Sequence, residues 1–81
     1  MRQVEALERS RSALQSARRG SESARSALGL ANQAYRAGAV DNLAVTDAEQ
    51  RGRVADLSAV IAEDAVRQSV LDLLAAAGRF P

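Results

Sequence analysis

Small residues recur every three or four positions along the first half of the chain. The set reads Ala6, Ser10, Ala13, Ala17, Gly20, Ala24, Ala27, Ala31 and Ala34. Beside it, Leu7, Leu14, Leu28 and Tyr35 run at seven-residue spacing, with Ser21 in the gap. Spacing of three and four residues places side chains on one face of an α-helix. The pattern predicts a helix over residues 2–37, with a narrow face of small residues flanked by leucines.

The second half repeats this design and predicts a helix over residues 42–77. Its small face reads Ala48, Gly52, Ala55, Ala59, Ala62, Val66, Ser69, Leu73 and Ala76, and its flank reads Leu43, Val54, Leu57 and Ile61. Two such faces on consecutive helices predict antiparallel packing with closely spaced axes. Apolar residues that we place outside both faces call for additional helices; they are Leu30, Val45, Val60 and Val70.

A four-residue turn over 38–41 is predicted between the helices. Gly38 is placed where a helix ends with a residue in the left-handed backbone region, which glycine adopts without a steric penalty. Asp41 or Asn42 then caps the next helix, because a short polar side chain can accept from a free backbone N–H. Gly78 and Pro81 are expected to end the second helix. The predicted fold is all-α: a long, coiled-coil-like antiparallel αα-hairpin. We expect it to pack into a helical bundle or barrel.

Gly20 has two interpretations within the first helix. It falls in the row of small residues, where it would allow close approach of the second helix. Alternatively, it marks a break in the helix at Arg19–Ser21, because glycine lowers helix stability by ~1 kcal/mol relative to alanine.

Composition limits the chain to one domain with a thin core. Its 81 residues include 18 Ala, and Leu, Ile, Val and Phe together also number 18. A lone hairpin of this make-up is expected to be marginal and to self-associate. Residues 1–40 hold seven Arg and three Glu, whereas residues 41–81 hold four Arg and seven acids. The two halves should therefore attract each other when folded back.

The side-chain inventory argues against catalysis and cofactor binding. The chain has no His, Cys or Lys, so the usual activators of a nucleophile are missing, as are imidazole and thiolate ligands for a metal. We expect no enzyme activity, cofactor or metal. Arg18, Arg19 and Arg25 could form a basic patch, but one Tyr and one Phe provide no stacking platform for bases. A solvated face paired with acids of the second helix is favoured over nucleic-acid binding.

An ordered set of residues surrounds the predicted turn: Tyr35, Gly38, Leu43, Asp47-Ala48 and Gln50-Arg51. The residues Ala27–Ala31 precede the set, and Leu71–Leu74 and Ala75–Phe80 follow it. Over residues 24–80 the chain resembles the periplasmic tip of TolC-like outer-membrane efflux channels. The resemblance implies an excerpt of a longer secreted chain, located in the periplasmic portion of an outer-membrane protein of a Gram-negative bacterium.

The resemblance also implies roles and partners. Tyr35 and Asp47 would lie at the channel entrance, whereas Gly38 and Ala39 would form the tip that docks a periplasmic adaptor (membrane fusion) protein. The parent channel would be a trimer, and the excerpt alone a dimer or higher oligomer. Where some members carry a further Asp, this chain has Ala44, which implies a thinner acidic ring.

Each residue of the tip also has a purely structural interpretation. Tyr35 would pack at the end of the hairpin, Gly38 and Ala39 would serve turn geometry, and Asp47 would interact with the N-terminal dipole of the second helix. The alternative function is a stand-alone helical-hairpin interaction module that forms a four-helix bundle and has no role in transport.

Overall fold

The computed structural model describes residues 2–78, which form two long α-helices joined by a short turn. Helix α1 spans Arg2–Arg36 and helix α2 spans Asn42–Ala76, with 35 residues in each. They pack against each other in a hairpin of 61 × 19 × 12 Å. The all-α hairpin predicted from the sequence is confirmed, and each helix ends one residue before its predicted end. Pro81, and Arg79 and Phe80 of the resemblance, lie outside the described residues.

A Schellman motif closes α1. Gly38 has φ +77°, so it occupies the left-handed region that glycine tolerates best. The Ala39 N–H donates to the Ala34 carbonyl at 2.9 Å, and the Gly38 N–H donates to the Tyr35 carbonyl at 3.0 Å. These bonds satisfy carbonyls that the helix end would otherwise leave free. Asp41, rather than Asn42, caps α2: its Oδ1 accepts from the Ala44 N–H at 3.2 Å.

The inner face of α2 follows the predicted row of small residues. Its half-buried members are Ala48, Gly52, Ala55, Ala59, Ala62, Val66, Ser69 and Leu73, whereas Ala76 is exposed. Side chains this small bury little apolar surface each, so most of the interface is only half-buried. The hairpin therefore has a thin contact layer rather than a core.

The inner face of α1 agrees with the prediction at six of nine positions. Ala6, Ser10, Ala17, Ala24, Ala31 and Ala34 of the predicted row are half-buried, whereas Ala13, Gly20 and Ala27 are exposed. Leu7, Leu14, Ser21 and Leu28 of the predicted flank are half-buried too. The inner face is therefore displaced toward the leucines, which removes more apolar surface from water than alanines alone would. Both interpretations of Gly20 are wrong. A Cβ added there would meet nothing within 4 Å, and α1 continues through it without a break.

Two assignments in α2 are also corrected. The residues predicted to flank the packed face are 60–73% exposed; they are Leu43, Val54, Leu57 and Ile61. Val45, predicted to lie outside the packed face, is 8% exposed and is the buried hydrophobic residue of the described chain. It lies seven residues before Gly52, so it begins the inner row of α2 directly under the turn.

The two flanks of the helix–helix interface differ in chemistry. One flank carries cross-helix ion pairs, Arg18 with Glu63 at 3.8 Å and Arg25 with Asp56 at 3.9 Å, and the Ser21 hydroxyl donates to Asp56. All four charged side chains are at least 45% exposed, so each pair contributes only ~0.2–1 kcal/mol and mainly favours one register. The other flank is a shallow groove of about 660 Å³, lined mostly by small residues such as Ala13, Gly20 and Ala55.

Candidate functional site at the hairpin tip

The turn brings together three of the four residues predicted to act at the tip. Tyr35 lies in the last turn of α1 and is 48% exposed. Gly38 and Ala39 lie in the turn itself and are exposed. Asp47 lies farther along α2, six residues beyond the N-cap, or ~9 Å at 1.5 Å per residue. The tip is thus an aromatic ring beside small turn residues, with the carboxylate set back from it.

The surface at Gly38 is open to contact from outside. A Cβ added to Gly38 would meet nothing within 4 Å, although the positive φ would strain any residue that carries one. The N–H groups of Gly38 and Ala39 are already used within the Schellman motif. A partner would therefore meet a small, closed backbone surface rather than free hydrogen-bond donors.

Asp47 forms an ion pair that the sequence analysis missed. Its Oδ2 lies 3.0 Å from Nε of Arg51, and the two side chains are 60% and 77% exposed. The spacing of four residues between an acid and a following base is a recognised helical pair, so the signal was present in the sequence. The pair has no formal net charge. Together with Ala44, it makes the tip less acidic than Asp47 alone suggests.

Val45 anchors the start of α2 beneath the turn. It is buried, and Val40 within the turn is half-buried. The Asp41 cap fixes the backbone at the same point. These features hold the exposed residues of the tip on a defined scaffold, which a docking surface needs.

The described residues offer no other site of recognised chemistry. In the range 2–78, no group of three or more His, Cys, Asp or Glu could hold a metal ion. Across the same range, neither helix has a stretch long and apolar enough to cross a membrane. In comparisons with known proteins, no family model, curated protein or solved structure matches the chain.

Proposed function

We propose that this hairpin forms part of the wall of a TolC-like periplasmic conduit, with its tip at the entrance. The observation that carries the proposal is the uncovered apolar side of α2. Leu43, Val54, Leu57 and Ile61 are at least 60% exposed, although they lie on a regular helix. A single hairpin leaves this surface in water, whereas neighbouring hairpins of a helical barrel would cover it. The sequence resemblance over residues 24–80 supports the same assembly.

The proposed role is passive, without catalysis or cofactor. The helices would wall the conduit in the cell envelope, and the exposed Gly38–Ala39 turn would meet the helical hairpin of an adaptor protein. Symmetry-related copies would bring several Asp47 carboxylates to one narrow mouth. A ring of like charges focuses the electrostatic potential there and favours cations. Arg51 would oppose this effect, since it lies 3.0 Å from the carboxylate.

The entrance is tested by conductance of the full-length channel in planar bilayers. Asp47→Asn should raise the resting conductance or weaken cation block, and Arg51→Gln should strengthen the block by leaving the carboxylate unpaired. Asp72→Asn is the matched control, because Asp72 is also exposed and its carboxylate accepts a hydrogen bond from Gln68 at 3.1 Å on the same helix. If both tip variants conduct like the control, Asp47 is not part of a gate.

The docking surface is tested by drug susceptibility of cells that carry full-length variants. Gly38→Trp should abolish efflux while the protein still reaches the outer membrane. Gly29→Trp is the control, because Gly29 is exposed on α1, seven residues before the end of the helix, and a Cβ there would meet nothing within 4 Å. Equal efflux from the two variants would show that the tip docks no adaptor.

A second candidate function is a self-associating helical-hairpin module. The same exposed residues of α2 favour it, since a second hairpin laid across them would complete a four-helix bundle. The two candidates differ in geometry. A conduit needs hairpins whose tips point the same way, whereas a two-fold bundle can place the tips at opposite ends.

A further inference from the structure

The outer side of α2 carries a compact apolar patch at its centre. Val54, Leu57, Val60 and Ile61 are 59–61% exposed, and their spacing of three and four residues places them next to one another. Leu57, Val60 and Ile61 face away from α1, because residues 55, 59 and 62 form the half-buried inner row. Val54 lies at the border of the patch, where it also lines the groove beside Gly20 of α1. Exposed branched side chains grouped in this way usually mark an interaction surface.

Charged residues border this patch in a definite order. On the edge of the helix that carries Val60, Arg53 comes first and Glu49 second toward the N-terminus of α2, and Asp64 comes first and Arg67 second toward the C-terminus. Arg51 and Glu63 lie off this edge: Arg51 pairs with Asp47, and Glu63 pairs with Arg18 of α1. All four edge residues are exposed, and their positions at 49, 53, 64 and 67 follow one edge of the helix together with Val60. A basic residue on one side of the patch therefore has an acidic counterpart at a similar distance on the other side, and the reverse holds for the next residue out.

We propose that a second copy of this chain docks on this patch, with the two α2 helices antiparallel about a two-fold axis near Ser58. In that register, Val54 packs on Ile61 of the second copy, and Leu57 packs on Val60 of the second copy. Arg53 faces Asp64 of the second copy, and Glu49 faces Arg67 of the second copy. Asp64 and Arg67 also lie 2.7 Å apart within one chain, so docking would extend this pair to Arg53 and Glu49 of the other copy. Each contact occurs twice, as a two-fold interface requires. The inference rests on the self-associating module, the second of the two functions proposed above.

The charges decide both the partner and the orientation. A parallel pair of α2 helices in register would place Arg53 beside Arg53 and Asp64 beside Asp64, and opposed like charges disfavour that arrangement. An unrelated partner would have no reason to carry the complementary order of charges. A second copy of the same segment carries it, because antiparallel docking places the basic residue of one copy opposite the acidic residue of the other.

The predicted dimer is weak. The segment 49–67 is ~27 Å long at 1.5 Å per residue, and one helix face of that length lies at the low end of stable interface sizes. Because the interface is small, association should be followed at chain concentrations that reach several hundred micromolar. In the dimer, two hairpins that meet through α2 have their turns at opposite ends.

Sedimentation equilibrium of the full chain and its charge variants tests the proposal. The unmodified chain should show a monomer–dimer equilibrium, and Leu57→Glu should remove the dimer. Arg53→Glu and Asp64→Arg should each weaken self-association at least tenfold, because each places like charges across the interface. An equimolar mixture of these two variants should dimerise again, since every 53–64 contact then joins opposite charges. Arg19→Glu, an equal change of charge on the exposed side of α1, should leave the equilibrium unchanged.

Cysteine cross-linking tests the orientation, since the chain has no Cys of its own. A mixture of Val54→Cys and Ile61→Cys chains should form the mixed disulfide in preference to either homodimer. Preferential 54–54 and 61–61 disulfides would overturn the antiparallel arrangement.

Two further results separate the inference from the function on which it rests. A chain that remains monomeric at every concentration overturns both the docking and the self-associating module. Oligomers that persist in Leu57→Glu, at unchanged helix content by circular dichroism, overturn this interface alone and leave the module standing.

Discussion

Val45 is the residue whose truncation should test the packing of the hairpin most directly. Val45→Ala removes two carbons from a side chain that is 8% exposed. At ~0.8 kcal/mol per buried methylene, the loss of burial is worth ~1.5 kcal/mol. Val60 is the matched control, because it is the same residue on the same helix but is 59% exposed. Val60→Ala should therefore lose less than half as much burial free energy as Val45→Ala, or ~0.6 kcal/mol by the same coefficient.

The difference in unfolding free energy between these two variants measures the effect of burying the valine side chain. Alanine is a better helix former than valine by up to ~0.7 kcal/mol, but this gain is common to both variants and cancels in their difference. The expected difference in unfolding free energy is ~1 kcal/mol, which corresponds to ~4–8 °C in Tm for a domain of this size. Val45→Ala should therefore melt ~4–8 °C below Val60→Ala.

Circular dichroism melts should be recorded at chain concentrations low enough that Tm no longer depends on concentration. Under that condition, any dimer through the outer side of α2 does not contribute. Equal melting temperatures for the two variants, or a lower value for Val60→Ala, would show that the contact layer under the turn does not stabilise the hairpin as described.

Two further pairs of substitutions test other features by the same melts. Ala55→Leu should lower the free energy of unfolding by the ~1–3 kcal/mol typical of overpacking, because Ala55 faces α1. Ala27→Leu, on the exposed side of α1, should stay within ~0.5 kcal/mol of the unmodified chain. Equal shifts in Tm for the two variants would contradict the assigned rotation of α1. Gly38→Ala should destabilise by ~1 kcal/mol through its φ of +77°, whereas Gly29→Ala should stabilise α1 by up to ~1 kcal/mol; a stabilising Gly38→Ala would contradict the role of the turn.

The sequence was sufficient for the architecture and for the inner row of α2, but not for the rotation of α1 about its axis. Gly38 and the capping Asp41 carry local signals that depend on the backbone alone, and both act in the structure as glycine and aspartate do at helix ends. In α1, by contrast, the inner face combines most of the predicted small residues with Leu7, Leu14 and Leu28 of the flank, and it leaves Ala13, Gly20 and Ala27 exposed. How far the inner face extends to either side depends on what the opposite helix presents, and no periodicity within α1 contains that information.

The differences at Val45 and in the predicted flank of α2 have a related cause. Val45 extends the inner row of α2 to a position seven residues before Gly52, whereas the predicted row starts at Ala48. Apolar character alone does not place Leu57 and Ile61 beside that row, because apolar residues are also common on protein surfaces. At the tip, the (i, i+4) pair with Arg51 offsets the acidic character that Asp47 alone predicts.

The hairpin topology also sets an order in which contacts can form. Contacts near the turn join residues close in sequence, whereas Ser21 and Asp56, near mid-length, are separated by 35 positions, and Arg18 and Glu63 by more. Closing a long chain segment before any inner contact exists carries the largest entropic penalty, whereas each step outward from a closed turn adds little. The expected order is therefore that the Gly38 turn and the contacts of Val45 form first, and that helix–helix contacts are then added one after another toward the chain ends. Amide hydrogen exchange should then be slowest beside Val45 and fastest at the open end.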